Sequence, residues 1–531
     1  MTTPGPPTVC STGDAARGRS APRLNPVDAL VGLLIAGSLV YWFRELRGIW
    51  FYMDEWAMAE QVRDPWAVFE PYNGHLSVTI LAVYRTLLEV FGFSTHAPYR
   101  LIGLLAYGSI AAAFYLTTRS RLGPILAGAA SVLLVWAPNM SLEPGALNHW
   151  LALSGGIVCA YGLTGRTRRH DILVASALAF SLCGAGGGVA IVVAATVHSL
   201  CTRATARRWL AVLIPAGLWG LWRVTMVPPE AANITSRRPE PADLVIRAVG
   251  DAHSSFSQLA LGHEGIGRLF GVAFVLFVLL RLRHGLAHSA AAVAWSVALL
   301  TWWLGLEWAR WLLPTEDVFR YDTFSAVLIL MALVPDTPLP VSPWDFPSRR
   351  STVAASAAVA CLVVLSIAVA RDDFVRFRDW GSLTGWAQHQ QSVAIDLKPP
   401  VVPDDATTSL GFLYFTAGDL RSLFAAYAPP DGAQDREGLV ASVARLEIAD
   451  GGPPAHSCQD PIRRVTATPL AIVSITAPDG PSRIEVRRFG SGWVDVGTIP
   501  DGGSALLSLP DLLSTAEWEI RSTTSVCAVV R

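Results

Sequence analysis

Tyr52-Met53-Asp54-Glu55-Trp56 sits just beyond residues 27–43, the first apolar run of membrane length. Two adjacent carboxylates at a bilayer edge are expensive to leave without a purpose, so the pair is a functional-site candidate. The same two acids in a solvated loop could equally cap a helix, and the dipeptide alone does not separate the readings. The question is what surrounds them.

Of the 531 residues, 52% are hydrophobic and only 16% charged. A soluble domain carries about 25% charged residues, so the composition argues for a polytopic membrane protein. The formal net charge of -1 gives no basic face for nucleic acid. Nineteen Trp residues suit extensive bilayer interfaces, where an amphipathic indole is at home. Residues 1–26 are rich in Pro, Ser and Arg and read as a disordered cytoplasmic start. No small-residue cleavage site follows the first apolar run, which therefore reads as an uncleaved span.

Further apolar stretches fall at 101–117, 124–138, 150–163, 172–183, 188–200, 209–222, 269–280, 290–305, 324–334 and 352–370. With the first, that makes about eleven spans, several of them short. Arginines cluster before residue 27 and in alternate connections: Arg119 and Arg121, Arg166 to Arg169, Arg203 to Arg208, Arg281 and Arg283, Arg349 and Arg350. All these loops fall on one side only if residues 75–91 do not cross the membrane. The positive-inside rule then makes that side cytoplasmic and puts Asp54-Glu55, the loop at 224–268 and the C-terminus outside.

Residues 75–91 carry their own argument. Leu76, Ile80, Tyr84, Leu87 and Phe91 recur at three- and four-residue steps, with Arg85 and Glu89 opposite. That is an amphipathic helix suited to lie in the interface; the alternative is a span holding one buried ion pair. From residue 371 onward the chain is polar, and from about 470 short β-like runs alternate with turn signals at Pro478-Asp479-Gly480 and Pro500-Asp501-Gly502. The expected architecture is thus mainly α, a helical membrane bundle over residues 27–370. An extracytoplasmic domain over 371–531 would contain a β-sandwich.

Neighbouring side chains diverge, so Asp54 and Glu55 cannot form an acid/base couple across one bond. One acting as general base while the other orients a partner is geometrically easier. His75 could cap the following helix or face an anionic head group. Glu143 and His149 flank one outer loop; Arg320 and Tyr321 open a membrane segment near Glu307 and Asp322, where an arginine can snorkel or grip a lipid phosphate. Four of the seven cysteines lie in or beside apolar segments and read as buried hydrophobes, while Cys458 and Cys527 could form a disulfide outside the cytoplasm. No Cys/His spacing resembles a zinc site. No cofactor is expected, and a divalent metal stays open.

This layout resembles the GT-C superfamily of polyprenyl-phosphate-sugar-dependent glycosyltransferases. The resemblance rests on Asp54-Glu55 in the first outer loop, an interfacial helix, the pattern Phe91-Gly92-Phe93…Tyr99-Arg100-Leu101, and a glycine-rich hairpin at 184–188. It covers about the first 370 residues. Asn73-Gly74-His75 stands where some branches have Lys-Pro-Pro. The resemblance implies an inverting membrane glycosyltransferase at the outer face of the plasma membrane. Asp54 would be the base that deprotonates an acceptor hydroxyl, and Glu55 would orient it. Arg320, with His75 and Arg85, would hold the donor phosphate; Glu143, His149 and Tyr321 stand as further substrate-binding candidates. The implied partners are a polyprenyl-phosphate sugar, membrane lipids, and an envelope glycan, glycolipid or protein acceptor. A lipid flippase or other transporter, and a non-catalytic sugar-binding protein, are the competing readings.

Overall fold

The computed structural model describes residues 26–51, 54–136, 147–227, 240–260, 262–309 and 319–335, most of 385–449, and 471–488, 490–509 and 517–530. The expected span at 352–370, Glu143 and Cys458 lie outside these residues, as do the side chains of Arg320 and Cys527.

The chain opens with α1 (Pro26–Glu45), α2 (Asp54–Gln61) and a 3-10 turn at Pro65–Phe69. A two-stranded hairpin follows, β1 (Pro71–Tyr72) with β2 (His75–Leu76), and leads into α3 (Val78–Phe91). The bundle continues through α4 (Ala97–Leu122), α5 (Pro124–Trp136), α6 (Leu147–Thr164), α7 (Arg168–Leu182), α8 (Gly187–Cys201) and α9 (Ala206–Met226). It ends with α10 (Pro241–Leu259), α11 (Glu264–Leu282), α12 (Ala290–Ala309) and α13 (Phe319–Leu333).

Among the described residues, five helices are long and apolar enough to cross a membrane: Pro26–Glu45, Ala97–Leu122, Ala206–Met226, Glu264–Leu282 and Leu286–Ala309. The sequence reading counts about eleven. Several of the others are short; α7 and α8 have 15 residues each, about 22 Å of helix at 1.5 Å per residue, against a ~30 Å hydrocarbon core.

Polar clasps fix the helix order. Asp28, in the first turn of α1, takes Arg119 Nη1 of α4 at 2.9 Å and the Tyr115 hydroxyl. At the other end of α1, Trp42 Nε1 donates to Val135 O of α5 at 3.2 Å. These bonds align α1 with the α4–α5 hairpin.

One helix of the bundle is absent from the sequence reading. α10 lies within the stretch read as an outer loop, because its periodicity is inverted. Ala248, Asp251 and Ser255 face inward, whereas Val245, Ile246 and Val249 are exposed. A helix that turns its polar side to the protein and its apolar side outward offers no continuous apolar run to find. Its inward Ser254 and Ser255 hydroxyls donate to Asp322 of α13 at 2.8 and 3.2 Å. Glu307 and Asp322, read as loop residues, are buried on α12 and α13, and Arg247 of α10 approaches Glu307 at 3.7 Å.

Beyond the bundle, α14 (Ala417–Ala426) and α15 (Arg436–Val443) precede two small sheets. The first has four strands in the order β3 (Arg445–Ala449), β7 (Ser504–Leu509), β4 (Ala471–Thr476) and β9 (Cys527–Val530). The second has three, β6 (Val494–Ile499), β5 (Ser482–Arg487) and β8 (Glu519–Ser522). All pairings are antiparallel.

The polar segment before these sheets docks on the joint between α3 and α4. Phe93 N donates to Ala428 O at 2.7 Å, and Phe424 packs on both Trp56 and Phe93. Gly92 makes the approach possible: its φ is +53°, and a Cβ there would lie 2.5 Å from Ala428 N. Gly92→Ala should therefore destabilise the protein by about 2 kcal/mol, from backbone strain and the clash together. A drop in the thermal-unfolding midpoint of the purified protein is the expected reading; an unchanged midpoint would refute the tight contact.

Candidate active site

The two carboxylates open α2, and their environments differ. Glu55 points inward and is 2% exposed, while Asp54 is half-buried. Tyr84 of α3 donates its hydroxyl to Glu55 Oε1 at 2.5 Å, and His96 Nε2 meets the same oxygen at 3.1 Å. With the carboxylate ionised, His96 donates through Nε2. Burial and the Glu55 charge push the Tyr84 phenol well above its usual range, so it keeps the proton it donates. Around this clasp the packing is aromatic. Phe51 meets the His96 ring at 4.6 Å and Tyr99 at 4.7 Å, and Trp56 stacks on Phe93 at 4.9 Å.

Asp54 is tied to the hairpin instead. Tyr72 donates its hydroxyl to the Asp54 backbone oxygen at 3.0 Å. Burial first, then the Asp54 carboxylate, push the Tyr72 phenol far above its ordinary value. Asn73 and Gly74 form the turn with φ of +49° and +74°, the positive values a two-residue hairpin of the primed type requires. This turn sets Tyr72 opposite His75. Asn-Gly is a strong hairpin signal, and it is the clue in the sequence that would have placed His75 on a strand rather than on the helix.

His75 is an exposed residue, yet its ring packs against Gly186, where an added Cβ would lie 2.8 Å from His75 Cε1. The start of α3 is fixed to the same glycine-rich hairpin, Thr79 N donating to Cys183 O at 3.3 Å. Desolvation where the ring packs on the hairpin, and after it the charge of Arg223, lower the proton affinity of His75. The imidazole is therefore neutral near pH 7 and can donate a hydrogen bond, while Arg223 supplies positive charge. Arg223 belongs to the last turn of α9, next to Trp222, whose Nε1 donates to Phe69 O at 2.9 Å. Nothing in the sequence reading pointed to Arg223, because it is distant in the chain and closes an ordinary apolar run.

The remaining candidates distribute as follows. His149, in the first turn of α6, packs edge-on against Tyr321 of α13 at 5.4 Å, and both lie near Trp302. Trp302 stacks on Phe324 at 4.1 Å, and Phe324 fills the space over Gly187. That succession of contacts leads from His75 through the glycine-rich hairpin to His149 and Tyr321. Arg85 faces elsewhere. It donates to Val62 O at 3.0 Å and pairs with Glu89 at 2.7 Å, lining a groove of about 410 Å³ with Arg63 and Tyr427. The buried stripe of α3 is Ile80, Leu81, Tyr84 and Leu88; it shares Ile80 and Tyr84 with the face read from the sequence, while Leu88 is buried more deeply than Leu87 and Phe91 is exposed. No cluster of three metal-ligating side chains occurs among the described residues.

No protein-family model matches the chain, and no curated protein is significantly similar to it. Solved structures do match. ArnT from Cupriavidus metallidurans, solved with undecaprenyl phosphate, is 16% identical with a TM-score of 0.44 over 78% of this chain and 88% of its own. The Archaeoglobus fulgidus oligosaccharyltransferase is 13% identical with a TM-score of 0.37, over 70% of this chain and 55% of its own. The arabinosyltransferase EmbB from Mycobacterium smegmatis is 15% identical with a TM-score of 0.35, over 97% of this chain and 66% of its own. All three are GT-C glycosyltransferases. The chain spans only about half of the archaeal enzyme and two thirds of the mycobacterial one. With every TM-score below 0.5, the chemistry must be argued from this chain's own residues.

Proposed function

We propose that this protein is a membrane glycosyltransferase, inverting at the anomeric carbon, that takes its sugar from a polyprenyl phosphate. The observation that carries the reading is the division of labour between Asp54 and Glu55. Glu55 is held in the interior by Tyr84 and His96, whereas Asp54 is only half-buried and meets the hairpin whose His75 lies under the charge of Arg223. A half-buried carboxylate within reach of a bound acceptor is placed to accept a hydroxyl proton.

In this mechanism Asp54 takes the proton of an acceptor hydroxyl as its oxygen attacks the anomeric carbon. The bond from that carbon to the phosphate oxygen breaks, and the lipid phosphate leaves with the electron pair. Arg223, with a hydrogen bond from His75, stabilises the charge gathering on the leaving phosphate. The acceptor is an envelope glycan, glycolipid or protein, and the reaction lies on the side away from the arginine-rich loops.

The test is transfer of radiolabel from polyprenyl-phosphate sugars to endogenous acceptors in membranes carrying the protein. Label transferred above an empty-vector background supports the reading, and none with a panel of pentose, hexose and amino-sugar donors overturns it. Arg223→Ala should raise the apparent KM for the donor about tenfold, the scale of one charge-assisted contact. His75→Ala should raise it less. An unchanged KM in Arg223→Ala would remove the phosphate site.

A transporter is the second reading. It is favoured by three of the acids buried among the helices, Asp251, Glu307 and Asp322. Flux of a labelled lipid in proteoliposomes, without glycosyl transfer, would establish it instead.

A further inference from the structure

A second polar cleft lies at the far end of the bundle. α7 and α8 are joined by the hairpin that touches His75, so their other ends, near residues 164–168 and 201–206, lie at the opposite end from Asp54. Between them opens a cleft of about 350 Å³ lined by Arg166, Asp171, His198, Arg203 and Arg208.

Asp171 is the one acid among the lining residues, and it is spoken for. It is buried and accepts from Arg208 Nε at 2.5 Å and from Arg207 Nε. Arg208 also donates to Leu163 O at 3.1 Å and Gly165 O at 2.6 Å, and Arg207 to Arg166 O at 3.2 Å. These two arginines close the C-terminus of α6 and meet its last carbonyls, a structural task.

Arg166 and Arg203 have no such task. Both are exposed at the cleft, and no acid among the described residues pairs with either. Arg203 also has φ +50°. It follows the end of α8 in a left-handed stop, with Ala204 N donating to Ser199 O at 2.9 Å. Glycine takes that conformation freely, whereas a residue with a Cβ costs about 1 kcal/mol there. A strained arginine beside a second uncommitted one, at the mouth of a cleft whose only acid is neutralised, is an arrangement that favours an anion.

We propose that this cleft binds a phosphate-bearing anion through Arg166 and Arg203. The chemistry is shared by free phosphate and by the headgroup of an anionic lipid. The proposal is independent of the glycosyltransferase reading.

The full-length protein in an uncharged detergent tests it, with the thermal-unfolding midpoint followed against inorganic phosphate or dioctanoyl phosphatidylglycerol. A ligand that binds only the folded state raises the midpoint saturably. Saturable stabilisation by phosphatidylglycerol alone identifies a lipid headgroup; stabilisation by both identifies free phosphate. Arg203→Gly relieves the turn, so its midpoint without ligand should equal or exceed that of the wild type while its apparent affinity falls about tenfold. Arg166→Ala should lose affinity similarly. The absence of a saturable response in the wild type, or undiminished affinity in either variant, overturns the site.

Discussion

Asp54→Asn is expected to lower the rate of glycosyl transfer by roughly 10²- to 10⁴-fold, the contribution of a positioned general base. The substitution keeps the size of the side chain and removes its capacity to accept a proton. The Tyr72 hydroxyl donates to the backbone oxygen of residue 54 and also meets its side chain, where the Asn carbonyl oxygen can still accept, so the hairpin and His75 should hold their places. The apparent KM for a polyprenyl-phosphate donor should therefore change little while kcat collapses, the pattern of an interaction made only in the transition state. Transfer at the wild-type rate would mean that Asp54 is not the base. A raised KM with unchanged kcat would move it from proton transfer to substrate binding.

The parts of this site that were legible in the sequence are those with a local signature. The adjacent carboxylates stand out as costly at a membrane edge, and α3 was visible from its periodicity and from Arg85 and Glu89, which pair as their spacing requires. The resemblance was carried by equally local patterns, and Gly92 within one of them turns out to be where residues 426–428 dock. What the sequence concealed depends on long-range contact. His96 is 41 residues from Glu55, and Arg223 belongs to a helix that looks like any other apolar run. α10 was hidden by its inverted polarity, because in a membrane the protein-facing side can be the polar one. Its burial of Asp251 near Asp322 gives the bundle the buried acids that a transporter would need.

Glu55→Ala is expected to be the most destabilising single substitution at the site, costing about 3–5 kcal/mol, the scale of breaking a buried ionic clasp by removing one partner. Tyr84 and His96 would both lose their acceptor inside a buried aromatic shell. Each buried donor without a partner costs about 1–3 kcal/mol. Glu55→Gln has nearly the same shape and keeps one carbonyl acceptor, so it should retain the fold with a smaller loss. The effect on catalysis follows from adjacency. Glu55 anchors the first turn of α2, the same turn that presents Asp54, so a loosened Glu55 lets the base wander from its geometry. Glu55→Gln should then lower kcat about tenfold with little change in KM. His96→Ala combined with Glu55→Ala should lose less stability than the sum of the single changes, because both delete the bond between residues 55 and 96. A Glu55→Ala protein with the wild-type unfolding midpoint would show that the clasp does not hold α2 in place, and the separation of Asp54 and Glu55 into base and anchor would fall with it.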